Sequence, residues 1–529
     1  KGYKFNSDTD TEVIINAYDE YGPECLKKFN GQFSFVIYDA DKKLLFGARD
    51  RIGIKPMYYY KKGKKFMFAS ELKSILVNDI SRDINPDALN RFVSMRYISG
   101  EGTIIKGIKF DIQKYWDLEY NVENKSKKYF IEGVRQQLKD SIERRMMSDV
   151  PLGVYLSGGL DSSSIVGVMN EFTDNIKTFS VGFGYGGEVD ELRHAKIVSD
   201  HFNTDHKEII VDSNLVKNLP RVIWHGDEPL ATKDVTVVLS GEGADEMFGG
   251  YEQNKFLLQR NKLKLIPKPL RAVGSKSVDF FPEKGLNHFF AFASNIGKEG
   301  RKRFQNYVTN IDDKSKAYFE IMGIFNDKER HEVLTPEFLE QIKQYAHSDR
   351  INKIYYGDKK PYLNQILRYE VKEPLPENLL MKADKTTMPF SIEGRVPFLD
   401  HKLAEFAATI PPNLKLNKIK NEKYILKEAM RPYLPESIIR RKKHRFYVPI
   451  DLWMQKEDIK GMFDKVLNKQ EVNRQGFFDY STIDKIQKNY QTSPLFYARQ
   501  LWTLLNFQIW HKMFIEEDAI KTGKLPKIF

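Results

Sequence analysis

The pattern of apolar and polar positions changes character along the chain. Residues 1 to about 118 hold short strand-like runs, from Gln32 to Tyr38, Leu44 to Arg49 and Met57 to Tyr60, broken by Gly, Asp and Pro. Before them, Thr9-Asp10-Thr11-Glu12 precedes an apolar run and predicts a helix start with a capping box. These 118 residues therefore predict a β-rich domain with one early helix.

From about residue 126, apolar strands alternate with amphipathic helices. The predicted strands cover 151–157, 177–183, 207–211 and 234–239. Such alternation is typical of a parallel sheet with crossover helices. Beyond Tyr251 the pattern is mostly helical. We therefore predict a second domain over 126–529, built as a doubly wound parallel sheet with a helical extension, and a fold class that combines α/β and α+β.

A glycine-rich loop joins the first of these strands to its helix. It reads Tyr155-Leu156-Ser157-Gly158-Gly159-Leu160-Asp161-Ser162-Ser163. Backbone N–H groups of such a loop can surround an anion, and the helix N-terminus adds partial positive charge. It is not the Walker loop, because no Gly-Lys-Ser/Thr follows at the required spacing. The loop suits a pyrophosphate; the alternative is an ordinary glycine-rich turn.

Two further loops follow later strands of the predicted sheet. The loop Gly182 to Gly187 formally matches G-x-G-x-x-G but follows the second strand, so we interpret it as a lid or adenine-proximal loop. The loop Ser240 to Glu246 carries three acids. Asp161 and Asp245, one from each outer loop, could hold Mg²⁺ against phosphates. The alternative is a turn with solvated acids, and Glu246 could simply begin the next helix.

The composition narrows the class of protein. Apolar residues make up 41% of the 529 residues and charged residues 29%, as in a soluble globular protein of two to four domains. We find no apolar run long enough to span a bilayer and no leader segment, so we expect no membrane partner. The single cysteine, Cys25, excludes an internal disulfide and favours a reducing compartment, so we expect the cytoplasm.

The net charge is +12, from 84 basic and 72 acidic residues, with basic clusters at 301–303 and 440–445. A nucleic-acid partner is one interpretation. We favour a solvated basic face plus a phosphate site, because the charge is spread along the chain.

Together these residues resemble the glutamine-dependent asparagine synthetase family. Besides the Ser-Gly-Gly-Leu-Asp-Ser-Ser loop, the matching segments are Ala48 to Pro56, Ala69 to Lys73, Leu239 to Tyr251, Glu393 to Asp400 and Lys423 to Leu434. The resemblance implies an N-terminal amidotransferase domain with an Ntn-type sandwich over 1–118. It implies an ATP-pyrophosphatase synthetase domain over 126–529.

The resemblance also implies a two-step synthesis. ATP would activate the aspartate side chain as a β-aspartyl-AMP, and ammonia released from glutamine in the N-terminal domain would then attack it. Lys443 would stabilise the leaving pyrophosphate, with a surface lysine or a register shifted to Lys442 as alternatives. Glu242 would be the base in amide formation, or else an acid that only stabilises the loop.

The resemblance assigns binding residues as well. ATP contacts would come from Tyr155, Ser157, Gly158, Gly159, Leu160, Asp161, Ser162, Val181, Ser240 and Gly241, with Mg²⁺ on Asp161 and Asp245. Ser7 and Asp8 would bind glutamine, although Asp8 could equally cap the first helix. A homodimer through the N-terminal domain is a family expectation.

The sequence departs from the family at its N-terminus and at two internal joins. The family's glutaminase uses an N-terminal cysteine whose free amine acts as base. This sequence begins with Lys1-Gly2-Tyr3, and Cys25 lies in a helical stretch that cannot take that part. The joins at 109–111 and 230–233 look too short. We hypothesise that residues are omitted before Lys1 and at both joins; otherwise an ammonia-dependent synthetase is expected.

Two other functions share the adenylation chemistry. Enzymes that adenylate a tRNA base carry a similar loop, but they have no reason to carry the segments Ala48 to Pro56 and Ala69 to Lys73. A relative could instead amidate another carboxylate or close a lactam, since the aspartate pocket is not identifiable in the sequence. A pseudoenzyme is disfavoured, because Asp161, Glu242, Asp245 and Lys443 are all present.

Overall fold

A computed structural model describes residues 2–109, 114–185, 191–229, 239–277, 297–342, 360–417, 421–443 and 448–525. Both joins that look short, at 109–111 and 230–233, fall largely or wholly outside these ranges. Most of the strand predicted over 234–239 also lies outside them, as do Gly186, Gly187 and residues 444 and 445 of the basic segment.

The N-terminal part contains two small antiparallel sheets. Strand β1 (Ser34–Asp39) pairs with β2 (Leu44–Arg49), with Ser34 opposite Arg49. The second sheet has the order β4-β3-β5, formed by β3 (Tyr58–Lys62), β4 (Lys65–Ala69) and β5 (Ile108–Lys109). The three strand-like runs predicted from the sequence are confirmed. The Ntn-type sandwich stays a prediction.

The first helix spans Asp10–Tyr21, as predicted, but its predicted capping box is wrong. Thr9 occupies the N-cap position, and its side chain makes no capping bond to any described residue. The Glu12 carboxylate instead accepts from the amides of Asn6 (2.8 Å) and Ser7 (2.7 Å). The hydrogen bonds from Asn6 and Ser7 to Glu12 therefore replace the two bonds between Thr9 and Glu12 that the capping-box motif predicts.

The parallel sheet has the order β6-β7-β8, with β6 (Gly153–Tyr155), β7 (Lys177–Gly182) and β8 (Asp205–Ile210). Val154 of β6 also forms a parallel bridge with Leu239, the described end of the fourth predicted strand. The glycine-rich loop after β6 leads into the helix Leu160–Met169, which is buried along most of its length. A mixed α/β architecture is confirmed; the doubly wound arrangement stays a prediction.

The helices account for most of the remaining described chain. The other α-helices before Tyr251 are Leu72–Leu76, Pro86–Met95, Lys127–Met146, Leu192–His201, Leu219–Gly226 and Ala244–Phe248. Those after it are Glu252–Leu263, Lys268–Lys276, Gly297–Thr309, Lys314–Met322, Asp327–Val333, Pro336–Leu339, Tyr362–Lys372, Met381–Thr387, His401–Thr409, Pro412–Lys415, Tyr424–Met430, Glu436–Ile439, Ile450–Trp453, Glu457–Val466, Lys469–Gln475, Tyr480–Tyr490, Pro494–His511 and Ala519–Thr522. Short 3₁₀ segments are Gly22–Lys27, Ser213–Asn218, Met388–Phe390 and Pro397–Leu399, and π-helical segments are Leu375–Leu380 and Lys512–Glu516. The predicted helical extension is confirmed.

Two apolar cores join the N-terminal and C-terminal parts. One core packs residues of β3 and the helix Pro86–Met95 against the C-terminal helix Pro494–His511. A second core packs Ile52 and Ile54 against the parallel sheet and its helices. Within the described ranges, no helix is both long and apolar enough to cross a membrane.

Candidate active site

The glycine-rich loop lies where three strand ends meet. The Leu156 amide donates to the Phe179 carbonyl (2.8 Å), and the Tyr155 amide donates to the Leu239 carbonyl (3.1 Å). These bonds align the carboxyl ends of β6, β7 and the Leu239 segment. Ligands of open parallel sheets bind at such an edge. The three loops singled out from the sequence therefore begin side by side.

The side chains of two serines hold the loop in place through hydrogen bonds. The Ser162 hydroxyl accepts from the Ser157 amide (3.2 Å) and lies 3.1 Å from the Ser157 hydroxyl. The Ser157 hydroxyl in turn accepts from the Gly159 amide (3.3 Å). Gly159 is the N-cap of the ten-residue helix Leu160–Met169. These bonds fix the backbone of the loop in front of a helix N-terminus, and a helix N-terminus suits an anionic phosphate.

Gly158 fits where no other residue can. Its φ of +66° lies in the left-handed region. A Cβ at Gly158 would come within 2.3 Å of the His194 carbonyl carbon and 2.4 Å of the Ala195 nitrogen. The loop therefore packs directly on the backbone of the helix Leu192–His201, which fixes its curvature.

Gly158→Ala is expected to displace the loop and to abolish tight nucleotide binding, because the backbone of His194 and Ala195 cannot yield to a methyl group. We also expect a loss of about 1–3 kcal/mol in the free energy of unfolding. Gly461→Ala is the matched control, since a Cβ there meets open space in the helix Glu457–Val466. Nucleotide titration and thermal unfolding of both variants check this; equal nucleotide affinity in the two would contradict it.

Gly241 brings the third loop onto the first. A Cβ at Gly241 would lie 2.7 Å from the Cβ of Asp161. The flanking backbone is fixed by the Ser240 amide, which donates to the Arg395 carbonyl (3.0 Å). The Glu242 amide donates to the Ser240 hydroxyl (3.4 Å). Glu242 is thereby held on a tight turn against the Asp161 loop.

Asp161 and Asp245 are joined through a lysine. The Nζ atom of Lys423 lies 2.5 Å from Oδ2 of Asp161 and 2.6 Å from Oδ1 of Asp245. The Lys423 side chain is only 3% exposed. It immediately precedes the helix Tyr424–Met430 and has a left-handed φ of +51°. The two acids predicted to share one ion therefore contact the same ammonium group, and their binding of Mg²⁺ stays a prediction.

The charges of this cluster reinforce one another. Burial alone would raise the pKa of Asp245, but the ammonium groups of Lys423 and Lys443 outweigh it and hold that pKa well below its usual range. Burial alone would likewise lower the pKa of Lys423, and the carboxylates of Asp161 and Asp245 reverse this and raise it. Asp245 is therefore ionised and Lys423 protonated at neutral pH.

Lys443 contacts the carboxylate of Asp245, from which it is separated by 198 residues in the sequence. Its Nζ atom pairs with Oδ2 of Asp245. It also lies 5.1 Å from the centroid of the Tyr251 ring. The neighbouring Lys442 is exposed. This position favours Lys443, rather than Lys442, as the residue that faces the loops.

Glu246 is not a solvated acid. It lies within the helix Ala244–Phe248 and is 1% exposed. The Tyr251 hydroxyl donates to its carboxylate (2.6 Å). Burial, and then the negative charge of Asp245, raise the pKa of Glu246 to about 8. Glu246 therefore belongs to the interior behind the site, protonated at neutral pH beside the ionised Asp245.

The acids present fit Mg²⁺. Among the described residues, no group of three or more His, Cys, Asp or Glu side chains could hold a metal. A pair of carboxylates is nonetheless typical of Mg²⁺ sites that take their other ligands from phosphates and water. The buried Oδ1 of Asp161 has no hydrogen-bond partner in the described part of the chain. Asp161 and Asp245 would hold the ion, which when bound would supply Lewis-acid stabilisation of phosphate charge.

The other predicted nucleotide contacts differ in their exposure. Val181 is buried in β7 and is 6% exposed, so backbone atoms are the groups it could offer. Tyr155 and Leu160 are partly buried at the start of the loop and of its helix. Their contacts with a nucleoside remain predictions.

Two residues of the site were not found from the sequence. In the sequence, Lys423 is only the first residue of a segment that matches the family. Its role depends on contacts with Asp161 and Asp245, which lie 262 and 178 residues before it in the chain. Arg441 was read as part of a basic surface. Its guanidinium donates to the Ser157 carbonyl (3.4 Å) and pairs with Glu191 (3.0 Å). No local pattern distinguishes either residue from a surface cation.

The N-terminal residues are arranged differently. The Ser7 hydroxyl donates to Glu12 (2.5 Å), and both Ser7 and Asp8 are exposed. Cys25 is fully buried in the segment Gly22–Lys27, and burial raises the pKa of its thiol. A nucleophilic cysteine needs the opposite shift. Glutamine binding by Ser7 and Asp8 remains a prediction.

Comparisons with known proteins identify the family of the chain. Residues 133–512 match the Asparagine synthase family, and residues 1–130 match the Glutamine amidotransferase domain. The two matches define a glutamine-hydrolysing ligase class, in which an amidotransferase domain is joined to a synthase domain. The chain belongs to the asparagine synthetase family.

Two curated relatives span nearly the whole chain, and a third spans about half of it. Asparagine synthetase [glutamine-hydrolyzing] 1 of Bacillus subtilis is 32% identical over 98% of this chain and 83% of its own length. A putative asparagine synthetase of Methanocaldococcus jannaschii is 40% identical over 52% of this chain and 60% of its own length. Amidase chyE of Penicillium rubens is 26% identical over 99% of this chain and 85% of its own length.

Proposed function

We propose that the protein makes asparagine from aspartate through a β-aspartyl-AMP intermediate, with ammonia supplied by glutamine hydrolysis. The observation that carries this proposal is the convergence of Asp161, Asp245, Lys423 and Lys443 at the mouth of the glycine-rich loop. Such a set of charges suits the release of pyrophosphate from ATP, because negative charge develops on the leaving group.

Each residue has a distinct part in the proposed first step. The aspartate carboxylate attacks the α-phosphorus of ATP, and the bond to the bridging oxygen of pyrophosphate breaks. The loop from Ser157 to Ser162 holds phosphate oxygens through those N–H groups that do not donate to the two serine hydroxyls. Lys443 stabilises the negative charge that collects on pyrophosphate. Arg441 holds the Ser157 carbonyl and keeps the loop in place.

The proposed second step is amide formation. Ammonia attacks the acyl carbon of the adenylate, the tetrahedral intermediate loses a proton from nitrogen, and AMP leaves with the electron pair of the broken C–O bond. Glu242 is the proposed acceptor of that proton, because it sits on the turn that packs against Asp161. The proton then resides on the Glu242 carboxylate until solvent removes it.

The test of the function is formation of AMP and pyrophosphate from Mg-ATP and aspartate, with ammonium or glutamine as nitrogen donor. We expect asparagine in stoichiometric amount with AMP. Turnover with neither donor would contradict aspartate as the substrate. A second candidate, amidation of another carboxylate, is favoured by the amidase relative at 26% identity. Activity with other amino-acid carboxylates, but none with aspartate, would support it.

Glu242→Gln is expected to lower the rate of amide formation by about 10²–10⁴-fold, because the amide side chain cannot accept the proton. The aspartate-dependent exchange of pyrophosphate into ATP should continue, since adenylation does not need this base. Isotope exchange and asparagine release, measured on the same preparation, check the split. Loss of both in parallel would assign Glu242 to loop structure instead.

A further inference from the structure

The Lys423 ammonium lies between the two carboxylates that would hold a divalent cation. It lies within 2.6 Å of an oxygen of Asp161 and of Asp245, while Lys443 pairs with the second oxygen of Asp245. Two negative and two positive charges therefore face each other at the mouth of the loop. The two carboxylates therefore each have an ammonium partner within this cluster.

The backbone and the side-chain stem of Lys423 are held by the fold. Its side chain is 3% exposed. A Cβ on Gly250 would fall 2.0 Å from its Cε atom, so the lysine stem packs directly on that glycine. Its backbone is in the left-handed region, which non-glycine residues adopt rarely and mostly where the surroundings require it. Lys423 thus cannot swing into solvent without disturbing the start of the helix Tyr424–Met430.

We propose that Lys423 is a built-in counter-cation, a positioning residue that balances Asp161 and Asp245 in the nucleotide-free protein and so makes divalent-cation binding depend on the nucleotide. The inference rests on the proposed function, because it assumes that this site takes a metal–nucleotide complex. The physical reason is charge. A divalent cation alone would bring a second set of positive charges next to Lys423 and Lys443, and like charges at this range repel.

A triphosphate changes that balance. It brings several negative charges, so the two ammonium groups gain phosphate partners and the carboxylates become available to the cation. The protein would then bind the metal only with its nucleotide, and it would not hold a metal ion in an otherwise empty site. The consequence for the reaction is that the metal and the leaving group arrive as one unit.

The test measures Mn²⁺ binding by electron paramagnetic resonance, with and without α,β-methylene-ATP, which cannot release pyrophosphate. For the unaltered protein we expect at least tenfold tighter Mn²⁺ binding with the nucleotide than without it. For Lys423→Met, we expect Mn²⁺ alone to bind at least tenfold more tightly than to the unaltered protein. Asp161→Asn added to Lys423→Met should remove that gain.

Lys427→Met is the matched control. Lys427 lies one helical turn further on and faces Glu422 (3.5 Å) rather than the two aspartates. Its Mn²⁺ affinity should equal that of the unaltered protein, and circular dichroism of each variant confirms that it is folded. A gain in Lys427→Met as large as in Lys423→Met would overturn the proposal, as would no gain in Lys423→Met.

Mn²⁺ binding to the unaltered protein alone also tests the proposal. Equal Mn²⁺ affinity with and without α,β-methylene-ATP would overturn the counter-cation role. If α,β-methylene-ATP binds neither to the unaltered protein nor to the variants, that result contradicts the proposed adenylation and not the role of Lys423. The comparison of Mn²⁺ alone on the unaltered protein and on Lys423→Met would still decide the role of Lys423.

Discussion

Lys443→Met is expected to lower the rate of aspartate-dependent pyrophosphate release by about 10²–10³-fold, the usual cost of removing one preorganised group that stabilises transition-state charge. The Lys443 ammonium pairs with Asp245 and lies over the Tyr251 ring at the mouth of the glycine-rich loop. Methionine keeps most of the side-chain volume and removes the charge. The measurement is the single-turnover rate of pyrophosphate release with saturating Mg-ATP and aspartate.

Lys442→Met is the matched control for that experiment, since Lys442 is the adjacent lysine and is exposed. Its rate should stay within about twofold of the unaltered protein, as for a surface substitution away from the site. A large loss in Lys442→Met and a small one in Lys443→Met would show that the roles are reversed. Glutamine hydrolysis, where it is measurable, should be unaffected in both variants.

Asp227→Ala is expected to reduce the free energy of unfolding by about 3–5 kcal/mol, because it leaves a buried lysine without its counter-charge. Asp227 is fully buried, and its carboxylate accepts from Lys385 (2.5 Å), Lys73 (2.9 Å) and the Leu72 amide (3.0 Å). The Lys385 side chain is 3% exposed and also donates to the Ser70 carbonyl. The measurement is the urea and thermal unfolding midpoint.

Asp227→Ala should also affect glutamine-dependent synthesis and ammonium-dependent synthesis to different extents. Asp227 ties the segment 70–73 of the N-terminal part to the helix Met381–Thr387. Glutamine-dependent synthesis should therefore fall more than ammonium-dependent synthesis. Adding Lys385→Met to Asp227→Ala should recover part of the stability, since the unpaired charge is removed as well.

An exposed ion pair provides the control for Asp227. Asp484 and Lys488 form an exposed pair on the helix Tyr480–Tyr490, and such pairs contribute about 0–1 kcal/mol. Asp484→Ala should therefore leave the unfolding midpoint nearly unchanged. A midpoint for Asp227→Ala as high as that of Asp484→Ala would contradict the proposed role of the buried cluster.

The segment Ala69 to Lys73 illustrates how far a motif can be interpreted alone. It contributed to recognising the family, but nothing in its sequence explains its chemistry. In the structure, Leu72 and Lys73 bind the carboxylate of Asp227, and the Ser70 carbonyl accepts from Lys385. Their partners lie more than 150 residues away along the chain. The motif joins the two halves of the molecule.

The capping box shows what local spacing predicts and what it does not. Thr9 and Glu12 have the right types and spacing, and the helix begins where they predict. The Glu12 carboxylate nevertheless bonds to Asn6 and Ser7, because a side chain of that length can reach either partner. Local spacing therefore determined the start of the helix but not which bonds hold it.

The sequence by itself determined the alternation of strands and helices, the glycine-rich loop and its helix, and the presence of Asp161, Glu242, Asp245 and Lys443. These features depend on neighbouring residues, through side-chain periodicity and the backbone freedom of glycine. Only the tertiary structure decided that Lys423 bridges the two aspartates, that Arg441 holds the Ser157 carbonyl and that Glu246 is buried. Those outcomes depend on distant segments packing together, and a lysine or glutamate has the same local signature in solvent as in a buried ion pair.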